Sequence, residues 1–295
     1  MSLKSSINRE RVMGMQIIKT IAEMKMFTAD ARTRGQTIGL VPTMGYLHEG
    51  HLTLVRESAS KSDVNVVSIF VNPLQFGQGE DYGEYPRDLT RDAALAEGAG
   101  VDVIFAPTAA EMYPKGYNTF VEVLGVTESL CGRSRPGHFQ GVTTVVNKLF
   151  NIIQPNFAFF GQKDAQQVLV IQKMVADLNM NLEIIVVPIV RETDGLAMSS
   201  RNVYLSPEER QAALVLSRSL AQARLMTEQG ERNPEEVKSA VKRFISEEPL
   251  AKIDYVELLS IPNLEPTEHL QRRNLLALAV FVGKTRLIDN LVLEV

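Results

Sequence analysis

Two histidines three residues apart, His48 and His51, fall in the run Val41-Pro42-Thr43-Met44-Gly45-Tyr46-Leu47-His48-Glu49-Gly50-His51-Leu52, and the chain has only four histidines in all. At a helix start, side chains three apart share a side, so both imidazoles can donate hydrogen bonds to the oxygens of one phosphate. The run follows an apolar, strand-like stretch and leads into a helical pattern. A helix N-terminus there offers free backbone N–H groups and a positive dipole end to an anion. Gly45 and Gly50 let the backbone approach a ligand closely. A lone histidine is more often a structural residue; the spacing and placement of this pair favour phosphate. A metal centre fits less well, because no cysteine, third histidine or acidic cluster stands nearby in sequence.

Three further segments carry polar chemistry beside strand-like runs. Gly161-Gln162-Lys163-Asp164-Ala165-Gln166-Gln167 follows the apolar run Phe157 to Phe160; a glycine turn with a lysine there suits phosphate contact, although Asp164 is equally placed to cap the next helix. In Ala197-Met198-Ser199-Ser200-Arg201-Asn202, two hydroxyls and a permanent cation can wrap a departing pyrophosphate. Phe70-Val71-Asn72-Pro73-Leu74-Gln75-Phe76 ends another strand-like run in a turn and presents the Gln75 amide to a hydroxyl or carboxylate. The run Arg135-Pro136-Gly137-His138-Phe139 suits either a mobile flap or a plain loop.

Short β-branched runs at Ile38 to Val41, Val64 to Val71, Val101 to Ala106, Phe157 to Phe160 and Ile184 to Val190 predict the strands that position these segments. Helical patterns at His51 to Lys61, Leu89 to Gly98, Thr143 to Gln154 and Gln166 to Leu178 separate them. Continuous apolar strands alternating with helices predict an α/β fold, a Rossmann-like doubly wound parallel sheet that binds ligands at its strands' carboxyl ends. After about Arg191 the pattern changes. Ser206-Pro207-Glu208-Glu209 and Asn233-Pro234-Glu235-Glu236 read as two helix starts. Strand-like runs at Ile253 to Ser260, Leu275 to Val282 and Arg286 to Val295 close the chain. Helices followed by strands predict a smaller C-terminal α+β domain. The expected division is therefore a flexible leader over 1–14, a Rossmann-like domain over 15–190 and a C-terminal domain over 191–295.

The 295 residues are 45% hydrophobic and 22% charged, enough to build a full core without staples. The single Cys131 excludes an internal disulfide framework, and the absence of a visible signal peptide points to a cytoplasmic setting. No apolar run approaches the roughly 18 residues a membrane span requires. A formal charge of −4 argues against nucleic acid as partner, while leaving room for a locally positive pocket.

The run His48-Glu49-Gly50-His51 resembles the HIGH signature of the nucleotidylyltransferase superfamily, and Met198-Ser199-Ser200-Arg201-Asn202 resembles its KMSKS counterpart. With Pro42-Thr43-Met44-Gly45, Asn72-Pro73-Leu74-Gln75-Phe76, Arg135-Pro136-Gly137-His138-Phe139 and Gly161-Gln162-Lys163-Asp164, the series is similar in order and spacing to the pantothenate synthetase (pantoate–β-alanine ligase) family from about Met15 to Val295. Two departures from the usual pattern, Tyr46 in place of a small residue and the variable Gln162, remove no polar contact.

The resemblance implies ATP-dependent joining of pantoate and β-alanine through a pantoyl adenylate, with AMP and pyrophosphate released. It implies magnesium as the partner of ATP, a homodimer, and a C-terminal domain that acts as a lid. It assigns His51 as proton donor and places His48, Lys163, Ser199, Ser200 and Arg201 with it around the reacting phosphate. ATP would contact Met44 to His51 (Met44, Gly45, Tyr46, Leu47, His48, Glu49, Gly50, His51), Gly161, Gln162, Lys163, Asp164, Val190, and Met198 to Arg201. Pantoate would meet Gln75, Gln167 and Met44, and β-alanine Gln75. Asp88, Asp92 and Asp164 are weak magnesium candidates. Two rivals remain: another HIGH-type enzyme, such as an aminoacyl-tRNA synthetase or a cofactor adenylyltransferase, and a non-catalytic nucleotide-binding protein. A cofactor adenylyltransferase would keep the nucleotide in its product, so free AMP as product is the observation that separates it; the intact polar set argues against the last.

Overall fold

The computed structural model describes residues 14–295; the expected leader, Gly14 apart, lies outside the described residues. Six parallel strands form the first sheet: β1 (Gln16–Ile18), β2 (Ile38–Thr43), β3 (Val64–Ile69), β4 (Val103–Phe105), β5 (Phe157–Gly161) and β6 (Glu183–Val187). Their order is β1-β4-β3-β2-β5-β6. The chain runs outward from β2 through β3 to β4, then returns to lay β5 on the other side of β2. The order therefore reverses between β2 and β5, the place where open parallel sheets bind ligands. Those two strands pair only at Gly39–Phe157 and Leu40–Ala158, so their carboxyl ends part beyond that point.

The helices interleaved with this sheet include α1 (Ile21–Thr33), α2 (Glu49–Lys61), α3 (Leu89–Ala99), the short α4 (Ala109–Met112) and α5 (Leu130–Ser134), α6 (His138–Ile153) and α7 (Ala165–Asp177). Several boundaries differ from expectation. Helix α6 begins at His138 rather than Thr143, because Gly137 takes a left-handed φ of 80° and turns Arg135-Pro136 directly into the helix. The fourth strand covers only Val103–Phe105 and the sixth stops at Val187. Strand β1 and helix α1 were not foreseen, although Thr20 caps α1 by accepting a hydrogen bond from the Glu23 N–H.

Three helices follow: α8 (Pro207–Ala212), α9 (Leu214–Glu228) and α10 (Pro234–Ser246). Both sequence start signals operate. Ser206 accepts from the Glu209 N–H while Glu209 reaches back, and Asn233 accepts from Glu235; each such cap is worth about 1 kcal/mol. Strands β7 (Ala251–Ser260), β8 (Arg273–Val282) and β9 (Thr285–Glu294) form an antiparallel sheet. The unbroken apolar run in β8 is explained by burial on both faces. Leu276, Leu278 and Val280 join α9 and α10 in one core, while Leu275, Ala277 and Ala279 share a second core with α6 and α7. Truncating fully buried Leu278 to alanine is expected to cost about 2–5 kcal/mol.

Candidate active site

The turn between β2 and α2 stands at the switch point of the sheet. Thr43 starts it, its hydroxyl donating to the Ser68 carbonyl and accepting the Gly45 N–H. Gly45 and Tyr46 then take left-handed φ angles of 85° and 50°. Asp92 of α3 accepts the N–H groups of Tyr46 and Leu47 at 2.6 and 2.7 Å. Leu47 is fully buried in the core, which anchors the exit of the turn.

His48 is the N-cap of α2. Its Nδ1 accepts the Gly50 N–H at 3.2 Å, and the Nδ1 of His51 accepts the His48 N–H at 3.3 Å. Both Nδ1 atoms are thus acceptors, which leaves the proton of each neutral ring on Nε2. The rings lie with centroids 4.0 Å apart. Glycine is required between them: a Cβ on Gly50 would sit 2.9 Å from Cε1 of His48. Burial, with the charges of Lys163 and Arg91, lowers His48 to about 4, and burial lowers His51 well below the usual histidine value. Both imidazoles are neutral donors at pH 7.

Across the crevice, β5 ends in the turn carrying Lys163, whose Nζ donates to the Met198 carbonyl at 3.1 Å. Met198 in turn donates its N–H to the Val190 carbonyl. Ser199 caps the turn Ser200–Tyr204, and the Ser200 hydroxyl donates to the Tyr46 carbonyl at 3.3 Å, tying the two signature segments together. Arg201 makes a two-pronged ion pair with Asp81, both contacts 3.0 Å.

Gln75 is held tightly. A Cβ on Gly141 would lie 2.3 Å from the Leu74 carbonyl oxygen, so that glycine alone lets α6 press against this turn. Asn72 donates to the side-chain oxygen of Gln75 and accepts from the Tyr113 hydroxyl. Arg135 and His138 both donate to the Gln75 carbonyl, and Glu80 grips Arg135 with two contacts. Burial alone would raise Glu80, but Arg135 outweighs it and holds the carboxyl at about 2. The segment 135–139 is therefore braced against Gln75 rather than hanging free.

These groups enclose a cavity of about 190 Å³. Met44, His48, His51, Gln75, Lys163, Asp164, Gln167, Ser199, Ser200 and Arg201 all line it, above an apolar floor that includes Val142, Val146, Leu149 and Phe160. It adjoins a larger space of about 760 Å³ that shares Lys163, Asp164, Gln167, Ser199 and Arg201 and reaches Asp289 and Asn290 on β9. Other expected ligand contacts stand back from the small cavity. Exposed Glu49 pairs with Arg56, and the Gln162 amide donates to Asn290. Gly45, Tyr46, Leu47, Gly50, Gly161, Val190 and Met198 are absent from its wall. Asp164 makes no capping hydrogen bond to α7 and faces the cavity instead, which corrects its reading as a cap. Sequence reasoning passed over Asp81, Glu80 and Tyr85, all in the Gly- and acid-rich segment between Gln75 and α3; the contacts of Glu80 with Arg135 and of Asp81 with Arg201 span 55 and 120 residues and left no local signal.

A doubly wound sheet, paired histidine donors at its switch point and a lysine–serine–serine–arginine set opposite them define an α/β enzyme of the HIGH type. A family profile described as Pantoate-beta-alanine ligase matches residues 16–292, and the chain belongs to that family. The pantothenate synthetase of Heliobacterium modesticaldum is 62% identical over 281 residues, covering 95% of this chain and 100% of that protein. That of Pelotomaculum thermopropionicum is 61% identical, covering 95% and 99%. Among solved structures, pantothenate synthetase from Thermus thermophilus superposes with a TM-score of 0.90 at 47% identity, covering 94% of this chain and 99% of that one. A pantoate-beta-alanine ligase from Francisella tularensis, complexed with beta-gamma ATP and beta-alanine, gives 0.78 at 37% identity, covering 94% and 97%.

Proposed function

We propose that this chain condenses pantoate with β-alanine at the expense of ATP, forming a pantoyl adenylate and then pantothenate, AMP and pyrophosphate. The observation that carries this is the convergence of His48, His51, Lys163, Ser199, Ser200 and Arg201 on a cavity with an apolar floor and two glutamines on its wall. Pantoate has the matching chemistry: a carboxylate to attack phosphorus, hydroxyls for Gln75 and Gln167, and a dimethyl carbon for the valine floor.

In the first step the pantoate carboxylate attacks the α-phosphorus, that bond forms as the bond to pyrophosphate breaks, and negative charge grows on the phosphoryl oxygens. Donors fixed beforehand at those oxygens stabilise the transition state more than the ground state. The neutral Nε2–H groups of His48 and His51 serve this without a cost in protonation. His51 acts as a hydrogen-bond donor, and a full proton transfer from it requires the bound triphosphate to raise its affinity for protons. Lys163 and Arg201, now held by the Met198 carbonyl and Asp81, each keep further N–H donors for phosphate oxygens. In the second step the β-alanine amine attacks the acyl carbon and AMP departs.

Magnesium enters with the triphosphate as part of the substrate. Among the described residues no group of three or more His, Cys, Asp or Glu side chains is placed to hold a metal. Of the three acidic candidates, Asp88 and Asp92 already accept backbone N–H groups, while Asp164 lines the cavity.

We also assign residues 15–190 as the nucleotide- and pantoate-binding domain and 191–295 as a lid, with Val190 and Met198 towards the adenine. The Arg191–Asp289 pair at 2.7 Å supports a hinge just before that point. The shared core between β8 and helices α6 and α7 supports a small closing movement rather than a wide one. A homodimer in the cytoplasm completes this reading, and no helix among the described residues is long and apolar enough to cross a membrane.

The test is a product assay with ATP, pantoate and β-alanine, each omitted in turn. Pyrophosphate should appear with ATP and pantoate alone, and AMP should be freed only when β-alanine is added. Pyrophosphate release that requires β-alanine would overturn the stepwise route.

A further inference from the structure

Asp92 takes no part in the steps above, yet its side chain is only 1% exposed. From α3 it reaches the turn between β2 and α2, where two successive left-handed residues aim the N–H groups of Tyr46 and Leu47 to one side. Such a concavity is an anion site, and its occupant here is the protein's own carboxylate. The fit is close: a Cβ on Gly45 would come within 3.0 Å of Asp92 Oδ2. Arg91 reinforces the arrangement. It donates to the Leu47 carbonyl at 2.9 Å, contacts Asp92 at 3.3 Å and covers the Tyr46 ring.

The Tyr46 residue is held from both sides, its N–H by Asp92 and its carbonyl by the Ser200 hydroxyl. The next two residues lead to His48, whose ring locks with His51. We propose that Asp92 is a positioning residue for the adenylating step: its charge holds the Gly45–Leu47 turn, and through that turn sets His48, His51 and Ser200 at the spacing the triphosphate requires. The proposal rests on the ligase reading. Asparagine keeps the shape but offers one acceptor and turns its amide N–H groups towards a backbone donor, so the turn loses one anchor. Displacements of about 1 Å in a catalytic set cost roughly 10²-fold in rate.

The experiment is single-turnover pyrophosphate release from ATP and pantoate without β-alanine, together with the KM for pantoate and the melting temperature. Asp92→Asn should slow release about 10- to 100-fold and leave the pantoate KM within about twofold. Asn65→Ala is the control for lost stability. That buried side chain bonds the Val55 and Gly100 carbonyls at the other end of β3, so its loss should lower the melting temperature and spare the rate. Should Asp92→Asn fail to fold, Arg91→Met, at a side chain 42% exposed, tests the same anchor and should slow release several-fold. A folded Asp92→Asn with parental rate, or Arg91→Met with parental rate, overturns the proposal, as does a rate loss in Asn65→Ala equal to that of Asp92→Asn. A parent protein that releases no pyrophosphate at all overturns the ligase reading instead.

Discussion

Arg201 and Asp81 face each other through two parallel contacts of 3.0 Å, so the cation expected to meet phosphate is already occupied by a carboxylate of similar geometry. A bidentate guanidinium–carboxylate pair and a guanidinium–phosphate pair have the same geometry. We expect ATP to compete with Asp81 for the Nε–Nη2 side of Arg201. Replacing Asp81 by asparagine removes that competition, and binding of a non-hydrolysable ATP analogue, read by titration calorimetry, should tighten several-fold. Unchanged or weaker binding would mean that Asp81 aims Arg201 rather than competing for it.

Arg201 itself separates charge from geometry. Lysine keeps the charge and loses the fork. Arg201→Lys should retain part of the adenylation rate and Arg201→Ala very little. Solution scattering with and without the analogue should show compaction in the parent and less in Arg201→Ala; equal compaction in both would unlink this arginine from closure.

His51 and Lys163 both line the cavity and each brings one positioned donor. Each alanine variant should lose roughly 10²-fold or more in pyrophosphate release, the scale of removing one fixed donor from a developing oxyanion. Circular dichroism should show an unchanged fold. Near-normal turnover in either variant would leave that residue a structural role only.

The histidine environment also predicts a pH dependence of stability. His48 and His138 both fall from 6.5 to about 4, chiefly through burial. Between those values the unfolded chain binds protons that the folded chain refuses, so stability rises with pH across the window and is lost as pH falls from about 6.5 towards 4. Thermal melts of His48→Asn should show a shallower slope there than the parent, and an identical slope would remove His48 as a source.

Gln75 presents a neutral amide clear of the phosphate donors and is fixed by Asn72, Arg135 and His138. Gln75→Ala should raise the KM for pantoate and β-alanine and leave ATP affinity nearly unchanged. A selective loss of ATP affinity would reverse the assignment.

Much of this was legible in the residues themselves. The continuous apolar, β-branched runs specify strands because local burial pattern and backbone preference agree there, and Ser206 or Asn233 can cap a helix whatever surrounds it. The phosphate-facing segments were also readable, since glycine, histidine and lysine at strand ends act through short-range geometry. Other features depended on distant parts of the chain. Among the described residues, strand β1 pairs with β4, far along the sequence, so three residues carried too little local signal. Helix α6 starts early because Gly137 turns and Gly141 must lie against Leu74. Asp92 and Asp81 are ordinary acidic residues in a linear reading. Only the packing of α3 beneath the Gly45–Leu47 turn, and of the segment after Gln75 across Arg201, makes one an anchor and the other a competitor. Residue type and spacing determined which groups can do the chemistry; the tertiary structure decided what holds each of them, because a hydrogen bond between residues 45 or 120 positions apart leaves no periodic trace in the chain.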